Sequence, residues 1–244
     1  MMKKTVLAMV TVAMFGLAGC SAVHTAVTKR NLDVQTKMSE TIFLEPTVER
    51  TVYLQLRNTS TEQGMDIEPK LRQALQNKGM VISNNPDTAQ YWIQANVLSV
   101  GKMDLRDSQS ALLSGYGAGA VGAAAAAGAV AYNSSSNGAA LGAGLVGALA
   151  GVAADAMIED TNYTMITDLQ IAEKAPTGVT VTTKDNTSLK QGSSGSKEQS
   201  STATGNRHKY QTRIVSNANQ VNLDFKDAKP VLEDQLSNTL AGLF

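Results

Sequence analysis

The feature that most constrains this fold is a long internal segment without charge: residues 108–154 contain no Asp, Glu, Lys or Arg. Two Ala/Gly-rich stretches occupy most of it and extend slightly beyond, at 111–132 and 138–158, with Asp155 in the second. Each stretch is about as long as the roughly 20 helical residues that cross a bilayer core. A polar turn at 133–137 joins them. The pattern predicts a helical hairpin.

We expect this hairpin, at 108–158, to enter the membrane. Two alternatives stay open. Ala and Gly are weakly apolar, so such a segment gains less on insertion than a leucine-rich one. A mildly apolar segment can therefore pass the inner membrane and insert later, and in lipid its backbone must be helical. The alternatives are a flexible Gly/Ala linker and a helical pair buried in a soluble oligomer.

Glycine spacing in the same segment indicates close helix contacts. Pairs of small residues four positions apart let helix backbones approach each other. Because small side chains pack poorly in a lone hairpin, we expect copies of the chain to associate through it as a homo-oligomer. The predicted helix-packing glycines are Gly115 and Gly119, Gly138 and Gly142, and Gly147 and Gly151.

The amino terminus has the form of a bacterial lipoprotein signal, which would end at residue 19. Lys3 and Lys4 precede an apolar stretch at 5–15, and Leu17-Ala18-Gly19-Cys20 follows it. Cys20 is the only cysteine, so an exported chain has no disulfide to form with it. The pattern predicts cleavage before Cys20 and attachment of a diacylglycerol and a further acyl chain. An ordinary secretory signal followed by a chance cysteine is the alternative.

The residue after Cys20 and the net charge of the chain limit where the protein goes and what it can bind. Retention in the inner membrane would normally require Asp after the lipidated cysteine, whereas this chain has Ser21, so we expect the outer membrane. The formal charge is zero for the whole chain and −2 once residues 1–19, with Lys3 and Lys4, are removed. A nearly neutral chain lacks the basic face that nucleic acid requires. Outer-membrane lipid is the expected partner.

The sequences on either side of the hairpin predict one α+β domain in the periplasm, formed by residues 38–107 and 159–244 and preceded by a lipidated tether at 20–37. Its helices are expected between Asp66 and Gly79 and from about Pro230 onward. Leucines of the last helix share one face, which indicates core packing or contact with a neighbouring subunit. Strands are expected at 51–57, 80–82, 91–100, 164–172, 207–216 and 220–223, with a flexible connection at 191–205.

Enzyme signatures are weak. His24 and His208 have no second histidine or cysteine at ligand spacing, which argues against a metal site. No Gly-x-Ser-x-Gly motif occurs, and the glycines at 115–122 lack the Lys-Ser/Thr ending of a phosphate-binding loop. We therefore expect no catalytic activity, no metal and no cofactor apart from the covalent lipid on Cys20.

Three motifs together resemble one family along the whole chain. They are Leu17-Ala18-Gly19-Cys20-Ser21, the charge-free segment with Gly115-Tyr116-Gly117-Ala118-Gly119 and 133–138, and the ending Leu240-Ala241-Gly242-Leu243-Phe244. They are similar to the TraT family of outer-membrane lipoproteins encoded by conjugative plasmids. The resemblance implies surface exclusion, in which a plasmid-bearing cell forms fewer stable mating contacts with donors of related plasmids. It also implies a contribution to complement resistance in serum.

The turn of the predicted hairpin is the expected determinant of exclusion specificity, because it would be the part exposed outside the cell. A donor pilus tip or an outer-membrane protein is the expected partner. A passive turn, with the exposed surface elsewhere, is the alternative for this segment, and an oligomeric outer-membrane pore or export component is the alternative for the whole chain. The predicted specificity residues are Asn133, Ser134, Ser135, Ser136, Asn137, Gly138, Ala139 and Ala140.

Overall fold

The computed structural model describes residues 29–118, 159–191 and 195–244. These residues form eight strands and three helices. The strands are β1 (Asp33–Met38), β2 (Thr51–Asn58), β3 (Val81–Ile82), β4 (Tyr91–Lys102), β5 (Asp160–Lys174), β6 (Val181–Gln191), β7 (Gly195–Gly205) and β8 (Arg207–Val221). The helices are α1 (Ile67–Asn77), α2 (Leu105–Leu113) and α3 (Phe225–Ala241).

Six of the strands form one mixed sheet in the order β1-β8-β5-β4-β2-β3. The pairs β1–β8, β8–β5 and β5–β4 are antiparallel, whereas β4, β2 and β3 run parallel. Strands β6 and β7 form a separate antiparallel pair, called the arm below. The arm continues the β5–β8 hairpin beyond its last pair, Lys174 with Arg207, so it leaves the sheet at the end opposite Asp160.

One face of the sheet is covered by α1 and α3 and holds the main core. Alternate residues of β5 point to this face, and Met165, Leu169 and Ile171 are almost fully buried there. Burial of each such side chain contributes about 1.5–3 kcal/mol. In α3, Leu232, Leu236 and Leu240 are at most 1% exposed, which confirms the core-packing interpretation of the leucine stripe.

The opposite face of the sheet, called the α2 face, is covered only in part. Here Ala111 of α2 packs against Ile166 and Val215, with Leu98, Met103 and Leu112 around them. Ile166 lies between Met165 and Thr167 in β5, so strand alternation turns it away from the main core. Beyond this small cluster the α2 face is mostly polar, but it also includes the half-buried aromatic residues Tyr53 and Trp92.

Several predicted elements are confirmed. The strands expected at 51–57, 91–100 and 164–172 correspond to β2, β4 and β5, and the helix expected after Asp66 is α1. Gly79 follows that helix with φ +79°, the left-handed backbone conformation that glycine adopts at low cost.

The predicted fold class, an α+β domain with an inserted Ala/Gly-rich helical hairpin in the outer membrane, is wrong. The described fold is mostly β-sheet with three short helices, which contain 11, 9 and 17 residues. Across residues 29–118, 159–191 and 195–244, none of the helices has the length and apolar character needed to cross a bilayer. Residues 108–118, the expected start of the hairpin, instead pack on the sheet. Residues 119–158 lie outside the described part of the chain.

Backbone conformation and side-chain burial explain why the predicted hairpin does not begin here. Helix α2 ends at Leu113, and Gly115 and Gly117 then take φ values of +72° and +71°, which an α-helix does not allow. Ala111 is 3% exposed because it is buried against the sheet. At Ala111, low side-chain polarity therefore reflects contact with protein.

Four further expectations differ from the structure. Strand β7 occupies most of the expected flexible connection at 191–205, where backbone pairing with β6 orders a polar sequence. Strand β8 runs unbroken through 217–219, because these residues pair with β5 on one side and β1 on the other. Strand β1 lies within the range assigned to the tether, and α3 begins at Phe225, before Pro230.

Candidate functional site

The Ala/Gly-rich segment departs from the described domain at a fixed point, called the junction below: residues 111–118 with Asp168 and Arg213. These two charged residues face each other across the β5–β8 pair. The Arg213 Nε donates to Asp168 Oδ1 at 2.7 Å and its Nη2 to Oδ2 at 3.2 Å. The Arg213 side chain is 0% exposed and that of Asp168 is 12% exposed. The junction is therefore built on a buried ion pair.

Arg213 also binds the chain that leaves the sheet. Its Nη1 donates to the Ala111 carbonyl at 3.3 Å and to Ser114 Oγ at 2.9 Å, and its Nη2 donates to the Ala118 carbonyl at 2.9 Å. With the two bonds to Asp168, these contacts use all five guanidinium N–H groups. Such complete pairing offsets the desolvation cost of a buried cation.

Asp168 fixes the same segment from the other side. The Gly117 N–H donates to Asp168 Oδ2 at 2.9 Å. Gly117 and Gly115 both have positive φ, and an L side chain at either position would be strained. Gly115, predicted as a helix-packing residue, thus lies in the turn after α2.

The segment returns to the sheet at a different place. The Glu159 N–H donates to Asn222 Oδ1 at 2.8 Å, and the Asn222 N–H donates to the Glu159 carbonyl at 2.8 Å. Lys102 Nζ lies 3.2 Å from the Glu159 carboxylate. Asp160 and Asp168 are about 27 Å apart along β5, at ~3.4 Å per residue. Departure and return therefore lie at separate positions along the strand.

The amino-terminal end of the described chain lies beside the return point. The Val221 N–H donates to the Lys29 carbonyl at 3.0 Å, and Gln220 Nε2 donates to the Arg30 carbonyl at 2.9 Å. Val221 in turn pairs with Asp160 at the start of β5. Residues 29–30, within the range predicted as the tether, therefore share one end of the sheet with Glu159, and the arm leaves from the other end.

A buried carboxylate near the arm end has a structural role. Glu173 is 3% exposed and accepts hydrogen bonds from the Glu45 N–H and the Tyr210 hydroxyl, both at 3.2 Å. The Tyr91 hydroxyl donates to the Glu45 carbonyl at 3.0 Å. Burial, with the Glu173 charge as the next cause, raises the pKa of Tyr91 from 10.0 to about 12. These contacts hold the 39–50 loop on the sheet.

Most of the predicted site residues lie outside the described residues. These are Cys20, Gly119, Gly138, Gly142, Gly147, Gly151 and the predicted specificity residues 133–140, so their roles stay predictions. His208 is exposed, and the described ranges contain no group of three His, Cys, Asp or Glu residues placed to hold a metal ion.

Sequence analysis missed Asp168 and Arg213. Each is the one charge in an otherwise uncharged stretch of its strand, at 161–172 for Asp168 and 210–221 for Arg213. Opposite charges inside two predicted strands would have been the available signal, because buried charges are usually paired.

Comparison with known proteins identifies the family. The model of the family described as enterobacterial TraT complement resistance protein matches residues 31–244. A TraT complement resistance protein of Escherichia coli strain K12 is 57% identical over 241 residues, covering 99% of this chain and 98% of the relative. One from Wigglesworthia glossinidia brevipalpis is 31% identical over 234 residues, covering 93% and 91% respectively. Similarity at this level along almost the entire length agrees with the resemblance noted from the motifs, and the chain belongs to the TraT family.

Proposed function

We propose that this protein is an outer-membrane lipoprotein that contributes to complement resistance and mediates surface exclusion during conjugation. The observation that carries the proposal is the similarity to proteins named for complement resistance over 99% of the chain. The lipoprotein motif at 17–21 supports the anchor and the location. Surface exclusion rests on the family resemblance, and its proposed partner is a donor pilus tip or an outer-membrane protein.

The proposed anchor also limits how far the domain can move. Cys20 and Lys29 are nine positions apart, and nine extended residues reach at most about 32 Å at ~3.5 Å each. Lys29 is hydrogen-bonded to the end of β8. Lipid on Cys20 would therefore hold the return end of the sheet near the membrane, with the domain in the periplasm. Several acyl chains give stable attachment, since each buried methylene contributes about 0.8 kcal/mol.

Two substitutions separate lipidation from sorting. Cys20→Ser removes the acceptor thiol and should leave an uncleaved precursor, whereas Ser21→Asp keeps the lipid and should retain the protein in the inner membrane. The wild type, both variants and a Ser21→Ala control are expressed at equal levels in a serum-sensitive recipient. Survival in active serum is compared with survival in heat-inactivated serum, and mating is measured with donors of related and unrelated plasmids.

The wild type and Ser21→Ala should fractionate with the outer membrane, survive active serum and reduce mating with related donors only. Cys20→Ser and Ser21→Asp should lose both effects. Full activity of Cys20→Ser, at the normal mature size, would contradict the lipid anchor. Equal serum killing of cells with and without the wild-type protein would contradict complement resistance, and unchanged mating with related donors would contradict surface exclusion.

A further inference from the structure

Four glutamines form a continuous row across the α2 face of the sheet. They lie on the neighbouring strands β2, β4, β5 and β8, which are about 4.8 Å apart. Gln94 Nε2 donates to Gln55 Oε1 at 2.6 Å, Gln170 to Gln94 at 2.6 Å, and Gln211 to Gln170 at 2.7 Å. A carboxamide has two N–H groups and two lone pairs. Gln94 and Gln170 therefore each retain one donor and one acceptor beyond the row.

Three glutamines of the row, Gln55, Gln94 and Gln170, line an open groove of about 320 Å³. Asn96 and Arg57 line one part of the groove, and Tyr116 and Gly117 of the junction line another. Burial, followed by the charge of Asp168, raises the pKa of the Tyr116 phenol, so this hydroxyl stays protonated and able to donate at neutral pH. The lining thus combines planar polar side chains and one aromatic ring with the apolar residues Ala95 and Leu98.

The charge of the groove is positive. Asp168 lines it, but its carboxylate is neutralised by Arg213. Arg57 is exposed and forms no ion pair within the described part of the chain. Its guanidinium can therefore bind an external carboxylate through two parallel hydrogen bonds.

An aromatic pair lies next to the row, two residues before Gln55 and Gln94 on their strands. The Tyr53 and Trp92 rings meet edge to face with centroids 6.4 Å apart, and both residues are half-buried. Arg207 stacks on the Trp92 ring at 4.3 Å and donates to the carbonyls of Ala89 and Gln90, which fixes the ring. Trp92 is the only tryptophan in the chain, so its fluorescence reports on this region alone.

We propose that this groove binds a glycan that carries carboxylate groups. Sugar hydroxyls both donate and accept, which suits the free donors and acceptors of the glutamine row, while the C–H faces of pyranose rings can pack against Tyr53 and Trp92. The sugar carboxylate pairs with Arg57. An extended peptide normally binds by adding to a free strand edge, whereas Gln94 and Gln170 project from strands already paired on both sides. The proposal rests on the groove alone and is independent of the proposed function.

The test uses the full-length protein in detergent and Trp92 fluorescence as the readout. The probes are oligogalacturonate, its methyl ester of equal length, neutral maltooligosaccharide and oligoglutamate peptide. Oligogalacturonate should shift the fluorescence at the lowest concentration, the methyl ester should bind more weakly, and oligoglutamate should not compete. Arg57→Gln should weaken oligogalacturonate binding about tenfold, as expected from loss of a charge-assisted hydrogen bond, and should leave the methyl ester unaffected.

Matched variants control for charge and folding. Arg72→Gln removes a cation from α1, and Gln35→Asn shortens an exposed amide on β1; neither should change binding. Gln94→Asn keeps a polar side chain but breaks the row and should weaken binding of both sugar derivatives, with circular dichroism and thermal midpoint confirming the fold. Absence of a fluorescence change with oligogalacturonate would overturn the proposal. So would binding insensitive to Arg57→Gln, stronger binding of the neutral sugar, or stronger binding of oligoglutamate.

Discussion

The Arg213 guanidinium, 0% exposed and bonded through all five of its N–H groups, joins two strands to the departing chain. Its geometry explains why arginine occupies the position. Lysine has three donors on one nitrogen and cannot reach acceptors spread around a planar fork. The contribution of this residue is thus to hold 111–118 on the sheet.

Removing one partner of this ion pair should cost more than replacing both. Arg213→Met leaves the Asp168 charge buried and unpaired, which typically destabilises by about 3–5 kcal/mol. The double variant Arg213→Met with Asp168→Leu removes both charges, so its free energy of unfolding should lie closer to that of the wild type. Urea unfolding followed by circular dichroism measures all three proteins. Equal destabilisation by the single and double variants would show that the pair acts mainly through its bonds to 111–118.

Tyr91 predicts a loss of stability at alkaline pH. Its pKa is raised from 10.0 to about 12 in the folded chain, first by burial and then by the Glu173 charge. The unfolded state therefore loses the phenolic proton first, so this group's stabilisation is complete below pH 10 and is lost as the pH rises through about 12. Tyr91→Phe cannot ionise and should show a smaller decrease in urea midpoint between pH 10 and 12. At pH 8 it should cost about 1 kcal/mol for the lost bond to Glu45. An unchanged pH profile would contradict the assignment.

A buried carboxylate links α1 and α3 beside their shared apolar core. Glu233 is 4% exposed, accepts the Asp66 N–H at the start of α1 at 2.9 Å, and lies 3.1 Å from Lys70 Nζ. Glu233→Ala leaves that N–H without its partner and should destabilise by about 1–3 kcal/mol. Asp234 is a matched control, because it also binds Lys70, at 2.8 Å, but its side chain is 59% exposed. Asp234→Ala should cost less than about 1 kcal/mol. Thermal unfolding of both variants shows whether the buried Glu233 contributes more to stability than the exposed Asp234.

Elements with a buried and an exposed side could be predicted from the sequence, and elements without that contrast could not. Alternation in β4 and the helical spacing of Leu71 and Leu75 record which side faces the core. The arm has polar residues on both sides, so nothing in its sequence repeats with period two. Its order comes from backbone pairing that extends the β5–β8 hairpin.

The residues of the candidate site could not be identified from the sequence, because they come together only in one register of strand pairing. Asp168 and Arg213 meet only because β5 and β8 pair in the observed register, and the glutamine row requires four strands in a fixed order. The helical-hairpin prediction for the charge-free segment was wrong for a related reason. Ala111 is apolar because it contacts Ile166 and Val215, a partner that composition does not reveal.

At the scale of the whole molecule, the sheet separates three attachments. Residues 29–30 and the return of the Ala/Gly-rich segment lie at one end, the departure lies partway along β5, and the arm lies at the other end. A single lipid anchor would therefore hold one end of the sheet and leave the arm at the far end. From this arrangement we expect the domain to fold independently of the Ala/Gly-rich segment.

The last prediction tests that separation by replacing residues 119–158. The gap from Asp160 to Asp168 is about 27 Å along β5, which requires at least roughly eight extended residues. A Gly/Ser linker of about 12 residues should bridge Ala118 and Glu159 without strain, since lengthening a flexible loop costs little free energy. The domain should then keep its circular dichroism spectrum and a cooperative unfolding transition. Direct joining of Ala118 to Glu159 must pull 111–118 from Arg213 and should lower the thermal midpoint clearly. If the direct fusion is as stable as the linked variant, departure and return lie close together and the position of the junction given above is wrong.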